Sequence, residues 1–295
     1  MQMRLGALEA GGTKMVCAVG NENGELLVRE VFPTSDPEET MPKLISFFSK
    51  HGPEALGIGS FGPLDLDPAS DNYGDITTTP KTAWKFFPLL RTLRKALNIP
   101  CAIDTDVNAA ALAEIRMGAA KGLRSCLYVT IGTGVGGGLV LENKLIHGLV
   151  HPEFGHILIR QDPRDPMPKG VCPYHEGCLE GLCSGPSILK RYGKPAEELA
   201  ADDPAWELEA GYLAQMCVDA IMTISPERII LGGGVMQQKH LFPMIREKTK
   251  TLLGGYIHHG MIEDHIDRYI LPPALGNNSG IIGALILGAD CLSSK

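Results

Sequence analysis

The chain has 295 residues, 44% of them hydrophobic and 21% charged, which is enough apolar material for one large domain or two. A net charge of −7 with no basic block removes the electrostatic footprint of a nucleic-acid-binding protein. The amino-terminal "MQMRLGALEAGG" lacks the apolar core of a signal peptide, and the longest apolar run, "GIIGALILGA", is too short to cross a bilayer, so no membrane partner and a cytoplasmic location are expected.

In chain order, "RLGALE", "MVCAVG" and "LLVREVF" predict three strands joined by the turns "AGGTK" and "NENGE". Residues 37–51 predict a helix, and "ALGIGS" a buried strand. A loop rich in Pro, Asp and Thr runs from Gly62 to Lys85. "FFPLLRTLRKAL" has helical spacing, with Pro88 expected in its first turn. "CAIDTD" predicts a strand and "VNAAALAEIRMGAA" an alanine-rich helix. From residue 126, "CLYVTI", "GTGVG", "GGLVLE", "NK" and "LI" repeat the opening order of strand, glycine turn, strand, turn, strand. The period, about 120 residues, is too long for a solenoid and implies a duplicated α/β domain. The strand "ERIIL" then leads into "LGGGV", a helix is expected from Gln238 to Leu253, and a last helix over 279–290. With the boundary near "GAAKG", residues 1–118 form an amino-terminal α/β domain joined by the carboxy-terminal helix, about 280–295, and residues 119–279 form the second domain.

Three glycine turns stand out. Gly11, Gly12, Thr13 and Lys14 form the first, Gly132, Thr133, Gly134 and Gly136 the second, and Gly232, Gly233 and Gly234 the third. Glycine suits hairpins because it accepts positive φ. The first two turns are richer in glycine than a two-residue turn needs, and each offers a threonine hydroxyl. Their backbone N–H groups form concavities that bind anions. Neither fits the Walker pattern, nor G-x-G-x-x-G between a strand and a helix, so the phosphate grip expected is of a hairpin type. Their equivalent places in the repeat let them face each other across a cleft.

Asp104 and Asp106 lie where a strand runs into a helix. Such an aspartate either caps the helix or, at the carboxyl end of a strand, faces a ligand crevice. Of the eight cysteines, five lie in apolar stretches and read as buried reduced thiols. Cys172 and Cys178 differ: with His175 they form C-x2-H-x2-C, and His156 precedes them in "HPEFGH". Two thiols and two imidazoles make a closed tetrahedral donor set, the type that holds structural zinc.

"EAGGTK", "DTDVNAAALAE", "IGTGVGGG", "HPEFGH", "CPYHEGCLEG" and "LGGGV" occur in the order seen in ROK-family sugar kinases, and the chain from Leu5 to Gly288 resembles that family, its bacterial fructokinases in particular. The resemblance implies an α/β, duplicated actin-like and hexokinase-like (ribonuclease H-like) two-domain fold with an interdomain cleft. It implies ATP phosphates on Gly11–Lys14 and Gly132–Gly136, and adenosine beside Gly232–Gly234. Where the family has an Asp that helps position magnesium, this chain has Glu9. Asp106 falls on the family's catalytic base and Asn108 on its second Asn, a sugar contact, while Thr105 replaces the usual preceding Asn. Glu153 and Glu180 fall on residues that grip sugar hydroxyls, and His156 on one that touches the sugar as well as zinc. His175 stands where many members have a third cysteine. The activity implied is ATP-dependent phosphorylation of D-fructose to fructose 6-phosphate by a homodimer, with mannose or glucose, or a non-catalytic sugar sensor, as alternatives. A repressor of the family would carry a helix-turn-helix ahead of the first phosphate motif, which begins here at residue 9.

Overall fold

The computed structural model describes residues 3–293; the domain limits expected at 1 and 295 reach outside them. The chain divides into two compact units, one of Met1–Gly118, Lys144–Pro152 and Asn278–Lys295, the other of Ala119–Asn143 and Glu153–Asn277.

The first unit is built on the strands β1 (Leu5–Ala10), β2 (Lys14–Gly20), β3 (Leu26–Pro33), β4 (Ala55–Ser60) and β5 (Cys101–Thr105). Their order is β3-β2-β1-β4-β5, with an antiparallel meander through the first three and parallel pairing of β4 and β5. Strands β1, β2 and β4 are almost wholly buried, as continuous apolar runs covered on both faces should be. β3, at the edge, is largely exposed.

Helix α1 (Pro37–His51) starts where the Asp36 side chain accepts from the Glu39 N–H and ends at Gly52 in the left-handed region. With α2 (Leu89–Leu97) it sets Leu44, Phe47, Phe48, Leu89, Leu90 and Leu93 against Leu8, Met15, Cys17, Leu56 and Ile58. α2 begins after Pro88 instead of before it. Phe86 has φ 59°, outside the helical region, and the residue before a proline is pushed away from helical ψ. Helices α3 (Asp106–Arg116) and α10 (Ser279–Ser293) pack together, and α10 also lies on β4 and β1. A Cβ on Gly57 would collide with the Ala284 carbonyl, and one on Gly283 with the Ala109 carbonyl, so α10 meets β4 and α3 at backbone distance.

The second sheet repeats the plan. β6 (Cys126–Ile131), β7 (Val135–Leu141), β8 (Lys144–Leu145), β9 (Ile229–Gly232) and β10 (Ile270–Leu271) lie in the order β10-β9-β6-β7-β8. β6 and β7 are antiparallel, and β9 and β10 run parallel to β6. In each sheet the first strand lies between the second and the fourth, so the sequence repeat is a repeat of sheet topology. The turn into β8 centres on Glu142 and Asn143, both at positive φ, one residue earlier than "NK".

The remaining helices are α4 (Leu179–Cys183), α5 (Gly185–Tyr192), α6 (Ala205–Thr223), α7 (Leu241–Leu253), α8 (Gly260–Glu263) and α9 (Ile266–Tyr269). α6 carries no clean apolar stripe to read. Trp206, Leu208, Ala210, Tyr212, Leu213, Ala214, Met216 and Cys217 are all buried, and the helix packs on α7 and α4. α7 starts at Leu241 instead of Gln238, because Val235–Gln237 form a 3-10 turn ahead of it, and α10 runs past 290 to Ser293. Cys17, Cys101, Cys126, Cys183 and Cys217 are buried free thiols. Among the described residues no helix is long and apolar enough to cross a membrane.

Candidate active site and metal centre

In the first unit the turn after β1 is held from both sides. The Gly11 N–H donates to the Lys14 carbonyl at 2.9 Å, the Thr34 hydroxyl donates to the Gly11 carbonyl at 2.7 Å, and the Thr34 N–H donates to the Thr13 carbonyl at 3.0 Å. The side chains of Thr13 and Lys14 stay exposed. Glu9, at the end of β1, is half-buried. A Cβ on Gly280 of α10 would lie 2.6 Å from its Oε1, so the missing side chain at 280 makes room for this carboxyl. Burial first, then the charge of Asp106, pushes the Glu9 carboxyl up to about 7 against the pull of Lys14 and Arg29.

Asp106 is the first residue of α3, and it is not the cap. The Thr105 hydroxyl takes that role, accepting from the Asn108 N–H at 3.1 Å. The cap, which an Asn at 105 would also supply, is thus Thr105, and the Asp106 side chain is left out of it. One of its oxygens accepts from the Val107 N–H at 2.9 Å, and burial pushes the carboxyl up to about 6. Asp104, 4% exposed, is scaffold: Oδ1 accepts from the Thr105 N–H and from Asn108 Nδ2, both at 2.8 Å, and Oδ2 lies 2.8 Å from His147 Nε2. That bond raises the His147 pKa. His151 is buried, its Nε2 accepts from the Leu64 N–H at 3.0 Å, and burial lowers its pKa. The two histidines were not found by sequence reading; their only signal is their spacing in the polar stretch "HGLVHP".

In the second unit the other two glycine turns come together. The Gly132 N–H donates to the Gly134 carbonyl at 2.9 Å, the Gly132 carbonyl accepts from the Gly185 N–H at 2.7 Å, and a Cβ on Gly132 would sit 3.8 Å from the Gly234 nitrogen. Gly232 ends β9, Gly233 has φ 92°, and Gly136 lies within β7. Thr133 and Gly234 are exposed. Glu180, on α4, reaches this region: its Oε2 accepts from the Val135 N–H at 3.0 Å. Glu153 is exposed, and its carbonyl accepts from the His156 N–H at 3.0 Å.

His156, Cys172, His175 and Cys178 converge, their ligand atoms all within 4.8 Å of one another. His156 Nδ1 lies 3.9 Å from Cys172 Sγ and 3.7 Å from Cys178 Sγ, and His175 Nδ1 lies 3.7 Å from Cys172 Sγ. Zinc–sulfur bonds of about 2.3 Å and zinc–nitrogen bonds of about 2.0 Å set tetrahedral edges of ~3.3–3.8 Å, with the N–S edge at ~3.5 Å, and the observed N–S distances of 3.7–3.9 Å lie close to that. The Cys178 sulfur also accepts from the Gly181 N–H at 3.4 Å. Burial pushes the Cys178 thiol up to about 11, and a bound dication reverses that preference. The Leu179 N–H to Ile157 carbonyl, Ile159 N–H to Gly177 carbonyl and Val171 N–H to Gly181 carbonyl bonds (2.8–3.0 Å) tie the segments carrying these ligands together.

Beneath α4 lies a network that sequence reading missed. Arg191 Nε donates to Asp165 Oδ1 at 2.9 Å with both side chains fully buried. The Tyr212 hydroxyl donates to Asp165 Oδ2 at 2.7 Å. Arg191 Nη1 and the Ser187 hydroxyl both donate to the Leu182 carbonyl, at 3.0 and 2.9 Å. Glu209 sits beside this pair, and burial pushes its carboxyl up to about 8 against the pull of Arg191. A separate cavity of about 400 Å³, lined by Arg160, Asp162, Arg164, Glu207 and Lys248, contains none of the predicted site residues.

The family profile described as "ROK family" matches residues 5–290. A Bacillus subtilis (strain 168) relative is 50% identical over 291 residues, covering 99% of this chain and 97% of its own length. A fructokinase of Pediococcus pentosaceus is 47% identical over 292 residues, 99% of this chain and all of its own. Among solved structures, a ROK family glucokinase from Streptomyces griseus in complex with glucose and AMPPNP matches with a TM-score of 0.78 at 25% identity, over 97% of this chain and 99% of that one.

Removing one partner from a buried ion pair strands the other charge. Asp165→Leu is therefore expected to lower unfolding free energy by about 3–5 kcal/mol, and Tyr212→Phe, which removes a bond to the charged Asp165 and one from the Asp162 N–H, by about 1.5–3 kcal/mol. Urea denaturation checks both, and a larger effect for Tyr212→Phe would show that stranding the Arg191 charge is not the dominant cost.

Proposed function

The chain belongs to the ROK family, and from that membership we propose that it is an ATP-dependent hexose kinase whose acceptor is D-fructose, phosphorylated at O6 to give fructose 6-phosphate. The observation that carries the chemistry is Asp106. It sits at the first position of α3, relieved of capping by Thr105, with its carboxyl pushed up to about 6. That is a base ionised at neutral pH yet basic enough to accept a proton. The fructose assignment is supported by the 47% identity to a fructokinase over nearly the whole chain; the likeness to a glucokinase is weaker, at 25%.

Phosphoryl transfer passes through a loose transition state, so positioning and charge stabilisation do most of the work. Gly11–Lys14 and Gly132–Gly136 supply backbone N–H groups for ATP phosphates, and Gly232–Gly234 border adenosine. Asp106 accepts the proton of the attacking hydroxyl. Asn108, Glu153 and Glu180 hold other sugar hydroxyls, and Asp104 fixes Asn108 and the start of α3. Magnesium, when bound, supplies charge neutralisation. Glu9 is the residue to hold it, since its carboxyl is raised by burial and by Asp106 and accepts no hydrogen bond from the described residues. Zinc, when bound to His156, Cys172, His175 and Cys178, supplies a structural tether: four protein donors leave no open position for a substrate. With His156 Nδ1 turned to the thiols, any contact of His156 with sugar falls to the rest of its ring. A cytoplasmic homodimer is the compartment and assembly that the family resemblance suggests.

A sugar panel with ATP and magnesium tests the substrate. Fructose is expected to give the highest kcat/KM and mannose the next. Glucose or N-acetylmannosamine tenfold above fructose would overturn the specificity and leave the kinase reading intact, whereas no ATP turnover with any hexose would favour a sugar sensor.

Asp106→Asn is expected to cut kcat by about 10²–10⁴-fold with sugar affinity nearly unchanged. In the wild type, protonation of Asp106 below its raised pKa removes the base. kcat/KM should fall tenfold per unit below about pH 6 and level off above it. A variant retaining more than about a tenth of wild-type kcat, less than the usual general-base contribution, would reject the assignment.

One zinc per chain is expected by metal analysis, with chelation lowering thermal stability and activity together, because such a site's binding energy is folding energy, on the order of 10 kcal/mol in model fingers. Cys178→Ala should reproduce chelation. A metal-free protein of full stability and activity would refute the tether.

A further inference from the structure

Glu180 makes a contact that sugar binding alone does not require. Its Oε2 accepts the Val135 N–H at 3.0 Å, and a Cβ on Gly134 would sit only 2.6 Å from the same oxygen. Val135 is the first residue of β7, directly after the second glycine turn, and the absence of a side chain at 134 is what lets the carboxylate reach it. A carboxylate has two oxygens and about four acceptor sites. With Oε2 on the Val135 N–H, Oε1 remains for a hydroxyl.

We propose that Glu180 is a positioning strut between the sugar and the second glycine turn: one oxygen on an acceptor hydroxyl, the other on the Val135 N–H, so that sugar binding tightens nucleotide binding. This rests on the reading of Glu180 as a sugar contact and of Gly132–Gly136 as a phosphate turn.

The physical case is one of shared ordering. Glu180 is half-buried on a helix fixed at both ends. Cys178 caps its start, with its sulfur accepting the Gly181 N–H, and Arg191 and Ser187 hold the Leu182 carbonyl at its end. The turn is the three residues Gly132–Gly134 between Ile131 and Val135, which pair across β6 and β7; within it Thr133 is exposed, and the added fixed points are the bonds at Gly132 and the one from Val135 to Glu180. A sugar that immobilises the Glu180 carboxylate immobilises the turn through it, and the nucleotide then has less ordering to supply. By linkage the effect is reciprocal: nucleotide tightens sugar by the same factor.

The test measures AMPPNP affinity by calorimetry, with and without saturating fructose, in the zinc-loaded protein. In the wild type, fructose is expected to tighten AMPPNP by about fivefold or more, the lower end of ordinary coupling. Glu180→Ala should weaken fructose binding and abolish the tightening even at fructose concentrations that saturate the variant. Gly134→Ala, whose added Cβ would sit 2.6 Å from Oε2, should displace the carboxylate, so fructose binding weakens and the tightening is lost together; circular dichroism and zinc content confirm that both variants are folded. Glu153→Ala serves as the contrast, weakening fructose but keeping the tightening. If Glu180→Ala weakens fructose and the tightening persists, the strut is wrong and the sugar contact stands. If Glu180→Ala leaves fructose affinity unchanged, the sugar contact itself is wrong and the strut falls with it. A wild type that shows no tightening also overturns the strut.

Discussion

A helix of five residues has no stability of its own, because forming the first turn fixes several residues for a single hydrogen bond. α4 is such a helix, and the second unit depends on its being held. Its first cap is a cysteine of the metal-type cluster, its second residue is Glu180, and the carbonyl near its end is gripped by a fully buried guanidinium. The Arg191–Asp165 pair is costly to bury and is not retained for stability alone. It joins α5 to the segment ahead of Cys172, and through Leu182 it fixes the direction in which α4 leaves that segment. The metal-type cluster and the ion pair thus act on opposite ends of the same short helix.

The first unit fixes a comparable junction with a buried carboxylate. Asp104 is buried and collects the Thr105 N–H, the Asn108 amide and the His147 ring. These bonds fix the junction between β5 and α3. Thr105 caps α3, so that the next side chain, Asp106, is not consumed by the helix end. Dividing the tasks between adjacent residues leaves the scaffold role to Asp104 and Thr105 and keeps the Asp106 side chain out of the cap, as the base role proposed for it needs.

This division explains what could be read before the structure. Features set by local spacing were legible: the two glycine hairpins, the buried strands, and the C-x2-H-x2-C run whose donors do converge with His156. The repeat of strand order followed from the recurrence of one hairpin pattern, since a hairpin fixes its own neighbours. What depended on distant partners was not legible. Asp165 and Arg191 look like solvated loop and helix-end charges until folding places them side by side. His147 meets Asp104 across forty-three positions of chain. α6 was passed over because most of it is buried, with a narrow, less buried stripe running through Glu207, Gly211, Gln215 and Asp219. The start of α2 was misplaced because helical spacing extends through Phe86 and Phe87, whereas the left-handed backbone at Phe86 and the geometry of Pro88 stop the helix there.

Raised carboxyl pKa values do not by themselves separate the roles. Glu209 is pushed further, to about 8, than either Glu9 or Asp106, at about 7 and 6, and in each case burial is the first cause. Glu209 lies on α6 among Arg191, Asp165 and Cys183, where one guanidinium cannot neutralise two carboxylates and the second therefore keeps its proton. Its shift records how a buried core remains electrically neutral. Glu9 and Asp106 shift partly because each sits at the carboxyl end of a strand in the first sheet, and the charge of Asp106 adds to the burial of Glu9. The Asp106 carboxylate thus acts on Glu9, while the Asp106 shift itself comes from burial. Perturbation is common to the core and the site. What sets Glu9 apart from Glu209 is that the carboxylate acting on it, Asp106, makes no ion pair among the described residues, whereas Asp165 beside Glu209 is paired with Arg191, a distinction that only the positions of the groups reveal.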